Sequence, residues 1–255
     1  MESMKAMIGS SFTLVFVAFA ACALFLALER DRVPERFRTT LRVSVVYLTI
    51  AAINYYYMKD VYAAGIGSGQ SHFPTSYRYV DWILTTPLML LKFPLMLGIG
   101  KRGVSFMARL VVLDIVMIAT GYVGENAHTP AVHFGFFLIG CVAWLFILVS
   151  LFMALGTLPD RLTDAVKSGV RVMGLFVLVG WAIYPLGYFA PILGVPDDIR
   201  ELVYNVADIV NKVGLCLVVY ATAKRAGLEE RELAESRESD LEGEPVLAEL
   251  ADAAQ

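Results

Sequence analysis

An ionisable side chain inside an apolar helix is costly, and its presence there points to work that needs a charge or a proton. Six such residues stand within apolar runs of this chain: Arg78, Asp81, Lys92, Asp114, Asp208 and Lys212. In the segment DIVNK, Asp208 and Lys212 are four residues apart, so a helix stacks them on one face. Lys212 falls near the middle of its run, too deep to snorkel easily to either surface. A lysine so placed needs a counter-charge, loss of its proton, or covalent conversion, and deep amines are suited to Schiff-base formation. The alternative is a plain buried Lys–Asp pair that ties two helices together. The segment RYVDWILTTPLMLLK carries a second polar line. At 100° per residue, Thr85 lies about 40°, Lys92 about 20° and Arg78 about 60° from Asp81 around the helix. Asp81 and Lys92 are separated by about 16 Å along that axis. A carboxylate stripe on a second helix weighs against the simple pair.

The elements that position these residues are membrane spans. Of 255 residues, 58% are hydrophobic and only 18% charged, more apolar surface than a water-soluble fold of this size could bury. The apolar residues come in blocks of about twenty, the length that crosses a hydrocarbon core of about 30 Å. Seven spans are predicted, near residues 9–28, 43–63, 77–97, 108–124, 132–155, 172–191 and 201–223, which makes the chain an all-α seven-helix bundle in the lipid bilayer. The first is long and lacks a basic start, so it reads as a retained span and not a signal peptide. Soluble enzymes, nucleic-acid binders and disulfide scaffolds are excluded. Cys22, Cys141 and Cys216 all fall in apolar runs and read as small buried hydrophobes. Arg30, Arg32, Arg36, Arg38, Arg42, Lys101, Arg102, Arg109, Arg161, Lys167, Arg171, Lys224 and Arg225 lie on one side, against Lys5, Lys59 and Arg200 on the other. The N-terminus is therefore expected outside and the C-terminus in the cytoplasm of a cell-membrane protein. Residues 1–225 form the membrane domain. Residues 226–255, part of a chain with net charge −3, are rich in Glu without aromatics and are expected as an acidic cytoplasmic tail, disordered or loosely helical.

The segments RYVDWILTTPL, WAIYP and DIVNKVG, in this order on the third, sixth and seventh spans, resemble those of microbial (type 1) rhodopsins. The likeness covers nearly all of the chain except the tail, and LERDRV, GYVGE and IGCVAW are most similar to the proteorhodopsin branch. The resemblance implies all-trans retinal linked to Lys212 as a protonated Schiff base, with Asp81 as counterion and proton acceptor and Asp208 as second carboxylate. A protonated imine in an apolar interior must be paired, and two carboxylates with Arg78 on their outer side supply the balance. Thr85 would hydrogen-bond the Asp81 carboxylate and relay its proton, while Tyr55 and Tyr184 would keep Asp208 ionised. Trp82, Trp181, Pro185 and Tyr188 match the family's retinal box, with Thr86, Met89, Met117, Gly121 and Gly140 lining the rest. By spacing alone, such residues are as readily ordinary core. Asp114 is expected to bond Thr86 in a structural role.

Lys92 occupies the place where outward proton pumps of the family usually carry a carboxylic acid as cytoplasmic proton donor, and some members use lysine there. A donor role competes with snorkelling to the near surface. Two departures stand out. Asn54 replaces a histidine that normally pairs with the counterion, and Arg200 takes one place of a glutamate pair, which argues against early proton release through such a pair. His72, His128 and His133 read as surface or structural residues. Met89 favours green absorption, and the bulk of Phe137 argues against a carotenoid antenna. Glu29, Arg30 and Asp31 resemble proteorhodopsin subunit contacts, pointing to a pentamer or hexamer, or equally to a solvated turn. The functional expectation is a light-driven outward proton pump and not an enzyme, with a sensory rhodopsin as the alternative; the Asp81 carboxylate disfavours anion pumps, and sodium pumps carry a different motif.

Overall fold

The computed structural model describes residues 2–67 and 73–252, and every regular element among them is helical. Seven rods follow one another: α1 (Glu2–Glu29), α2 (Glu35–Gly67), α3 (Ser76–Leu97), α4 (Gly100–Glu125), α5 (Pro130–Gly156), α6 and α7. The last two are composite. In α6, Asp164–Leu175 passes through a π-helical stretch, Phe176–Gly180, before Ile183–Phe189; in α7, Asp197–Asp208 passes through Ile209–Gly214 before Leu215–Asp252. Consecutive rods pack side by side, and α7 returns against α1 and α2 to close the bundle.

Each predicted span falls on one rod, the sixth running two residues past Phe189. Six rods are long and apolar enough to cross a membrane; α2 falls short because Asn54, Tyr55, Tyr56 and Tyr57 interrupt its apolar run. Large apolar side chains such as Leu14, Leu28, Val112, Leu145, Met153 and Leu186 stand exposed on the outer surface, as a lipid-facing bundle requires. Inside, Phe12, Phe19, Leu48, Leu90, Ile147, Val166 and Val219 belong to one continuous apolar core. Gly98 ends α3 in the left-handed conformation (φ 58°), its N–H bonded to the Pro94 carbonyl at 3.1 Å. That conformation is costly for a residue with a Cβ.

Of the two forms expected for the terminal segment, disordered or loosely helical, the structure has the helical one. The helix of α7 runs past residue 225 to Asp252 without a break. Its Ala, Leu, Glu and Arg content favours helix, and the first turns are tied down: Glu229 accepts from the Ala165 N–H at 3.0 Å, and Glu230 pairs with Arg36. His72 lies outside the described residues.

Candidate functional site

The Lys212 ammonium, 2% exposed, sits between two carboxylates: its Nζ is 2.8 Å from Asp81 Oδ2 and 2.7 Å from Asp208 Oδ2. Buried charges demand further hydrogen bonds to offset desolvation, and each carboxylate has them. Asp208 accepts from Tyr55 Oη at 2.8 Å and Tyr184 Oη at 2.5 Å, and Asp81 accepts from Asn54 Nδ2 at 3.3 Å. Asn54 thus stands where the sequence reading misses a histidine and binds the same carboxylate. Thr85 does not do what was expected of it. Its hydroxyl donates at 2.8 Å to the backbone carbonyl of Asp81, one turn back in its own helix, and not to the carboxylate. Threonine in a helix commonly makes this local bond. Thr86 donates to Asp114 Oδ2 at 2.8 Å, the expected contact between α3 and α4.

Toward the end of the bundle where α1 begins, the structure assembles a group that the sequence reading missed. Arg78, 1% exposed, binds Glu201 Oε2 through Nε at 2.8 Å and Nη2 at 2.6 Å, and also Asn205 Oδ1 at 2.8 Å. Its Nη1 donates to Tyr55 Oη at 3.0 Å, and through that phenol it is linked to Asp208. Arg200 then lies 3.5 Å from both Glu201 and Glu125. Arg200, read as standing in one place of a glutamate pair, thus bridges two glutamates from different helices. The signal was available. Seven residues before Asp208, Glu201 is only about 20° around the helix from it, whereas Arg200 is about 80° away.

On the opposite side of Lys212, Lys92 is fully buried and donates to Tyr47 Oη at 2.7 Å, so its amine is directed inward and not toward the surface. Tyr47 Oη is 2.7 Å from Cys216 Sγ and 3.1 Å from the Lys212 carbonyl oxygen. Cys22 and Cys216 are buried as expected, but Cys216 takes part in this polar contact and Cys141 is only half-buried.

A cleft lined mainly by apolar and aromatic groups ends at Lys212. Trp82, Thr86, Met89, Met117, Gly121, Gly140, Trp181, Tyr184, Pro185 and Tyr188, all expected there, line it. The sequence reading missed Tyr79, Ile118, Cys141, Trp144, Tyr204 and Asn211 on the same walls. Phe137 also lines it, packed on Tyr188 (ring centroids 5.0 Å apart) and Phe189 (4.3 Å). Beside the cleft, the half-buried His133 ring lies 4.4 Å from that of Tyr188, while His128 is exposed.

The π-helical stretches shape the floor. The Gly180 carbonyl would accept from Tyr184 in a regular helix, but the Tyr184 N–H turns to Trp181 at 3.1 Å, and Pro185, next in line, has no N–H. Asn211, the residue before Lys212, supplies the missing donor at 2.9 Å. A side chain at position 180 would collide with it, since a Cβ there would overlap Asn211 Oδ1. A primary amine at the polar end of an apolar slot suits covalent attachment of a long, flat, apolar aldehyde.

Residues 6–226 match the bacteriorhodopsin-like protein family. A green-light absorbing proteorhodopsin of Gamma-proteobacterium EBAC31A08 is 38% identical, over 84% of this chain and 86% of its own. A blue-light absorbing proteorhodopsin of Gamma-proteobacterium Hot 75m4 is 36% identical, over 85% and 86%. The crystal structure of Exiguobacterium sibiricum rhodopsin shares the fold with a TM-score of 0.81 at 36% identity, over 88% of this chain and 98% of its own. The chain belongs to the bacteriorhodopsin-like family, as a microbial type 1 rhodopsin of the proteorhodopsin branch. It is a multi-pass membrane protein.

Proposed function

We propose that the protein is a light-driven outward proton pump that carries all-trans retinal on Lys212 as a protonated Schiff base. The relatives are named as light-absorbing proteorhodopsins, and a similar solved structure, xanthorhodopsin (27% identical, TM-score 0.81), is described as a light-driven ion pump. The observation that carries the reading is Lys212 Nζ held 2.8 Å from Asp81 and 2.7 Å from Asp208 at the end of the apolar cleft. Bound retinal supplies light absorption and a change of shape. The chain's own residues handle the proton. Asp81 takes it from the Lys212 nitrogen, while Asp208, held by Tyr55 and Tyr184, stays as the fixed negative charge. Arg78, Glu201, Arg200 and Glu125 continue from Asp81 and Asp208 toward the end where α1 begins, which the Lys/Arg distribution places outside. Lys92, buried on the other side, returns a proton to the Lys212 nitrogen from the cytoplasmic half. Met89 on the cleft wall supports green absorption, and the bulk of Phe137 argues against a carotenoid antenna. Within the single chain Glu29 is bonded to Arg32 and Tyr220, and Asp31 pairs with Arg30 and Arg38; a pentamer or hexamer built on this turn remains part of the proposal.

The test is the light-induced pH change of an unbuffered cell suspension supplied with retinal, with and without a protonophore. Acidification abolished by the protonophore is expected, and Asp81→Asn should remove it. A coloured protein without a pH signal would overturn the pump and leave the sensory reading. Lys212→Ala should be colourless; a coloured variant would overturn the attachment site.

A further inference from the structure

Between Lys92 and Lys212 the structure places one polar side chain that the sequence did not mark for function. Tyr47 Oη accepts from Lys92 Nζ at 2.7 Å and lies 3.1 Å from the Lys212 carbonyl oxygen. Among the described residues, it is the only side chain bonded to both. Tyr47, Lys92, Cys216 and Lys212 are all buried, the most exposed at 2%. The Lys92 nitrogen lies 4.7 Å from the centroid of the Tyr47 ring, so it meets the phenol at its hydroxyl end. Asp81 and Asp208 occupy the other side of Lys212, where Tyr47 makes no hydrogen bond.

We propose that Tyr47 is the proton relay that joins the Lys92 amine to the Lys212 nitrogen. This rests on the donor reading of Lys92 given above. A phenol hydroxyl both accepts and donates, which a relay requires. The Lys92 N–H bond breaks as a bond forms to Tyr47 Oη. The O–H bond that Tyr47 already carries breaks as its proton passes to the Lys212 nitrogen, once that nitrogen has turned from Asp81 toward the cytoplasmic half. Tyr47 begins and ends neutral, and Lys92 ends as the free amine. The bond to the Lys212 carbonyl keeps the phenol next to the residue it serves.

Tyr47→Phe isolates the oxygen, because the ring and its packing are kept. After a flash, decay of the deprotonated Lys212 state should slow on the order of 100-fold, the lower range for a positioned proton-transfer group. Lys92→Ala should slow it similarly, and the double variant should be no slower than Lys92→Ala. In retinal-free protein, the ¹⁵N resonance of Lys92 Nζ should move in Tyr47→Phe, a readout independent of pumping. Normal decay in Tyr47→Phe with slow decay in Lys92→Ala would overturn the relay and leave Lys92 as donor. Normal decay in both would overturn the donor reading itself. Should Tyr47→Phe fail to fold, dipolar coupling between labelled tyrosine Cζ and Lys92 Nζ in the unaltered chain decides: coupling supports the contact, and its absence overturns the relay.

Discussion

Replacing Glu201 by alanine removes two charge-assisted bonds from Arg78, at 2.8 and 2.6 Å, within a pair whose partners are each only 1% exposed. Breaking one side of a buried ion pair costs about 3–5 kcal/mol, because the remaining charge loses its compensation. Arg78 keeps Asn205 Oδ1 at 2.8 Å and Tyr55 Oη at 3.0 Å, so the loss belongs at the lower end. With about 3 kcal/mol lost and about 2–4 °C per kcal/mol for a chain of this size, the melting temperature should fall by about 6–12 °C. The assay is thermal loss of the visible band in detergent-solubilised, retinal-loaded protein. Glu201→Gln keeps an acceptor oxygen without the charge and should lose roughly half as much. Arg78→Gln combined with Glu201→Gln should cost less than the two single losses together, since residues of one network are not additive. Glu201→Ala melting within about 2 °C of the parent, well below the loss expected for a buried pair, would refute the reasoning. It would mean that Asn205 and Tyr55 compensate the Arg78 charge without Glu201.

Gly180→Ala should cost about 1–3 kcal/mol through the carbonyl left unpaired when Asn211 is displaced, and it should shift the absorption maximum because Asn211 borders the cleft beside Lys212; unchanged melting and colour would contradict the packing. Arg36→Ala breaks the pair with Glu230, whose side chains are 43% and 38% exposed, and should lower stability by no more than about 1 kcal/mol, less as salt is raised. A larger or salt-insensitive loss would show that the terminal helix depends on that contact.

The spacing of charges along single helices made much of the site legible. Four residues separate Asp208 from Lys212, and a regular helix must stack them; the turn from Asp81 to Lys92 is equally local arithmetic. The same arithmetic contained Glu201, one heptad before Asp208, but Arg200 beside it drew the attention. Thr85 was misread because a helix offers its hydroxyl a nearer acceptor, its own backbone carbonyl. The wall residues Tyr204 and Asn211 carry no local mark of function: an aromatic or amide at helical spacing looks the same whether it faces lipid, core or cleft.

Apolar length, charge position and residue type along the chain were enough to determine seven spans, the buried amine and the Asp208 carboxylate stacked on it, since these depend on contacts within one helix and on the cost of charge in an apolar medium; Asp81 as its partner from another helix came from the family resemblance. Which groups meet across helices was decided by tertiary structure alone. Tyr47 of α2 reaches Lys92 of α3 and the backbone of α7, and Asn211 of α7 satisfies a carbonyl of α6. Those bonds depend on the rotation of each helix against its neighbours and on two π-helical stretches, and both are set by the packing of the whole bundle.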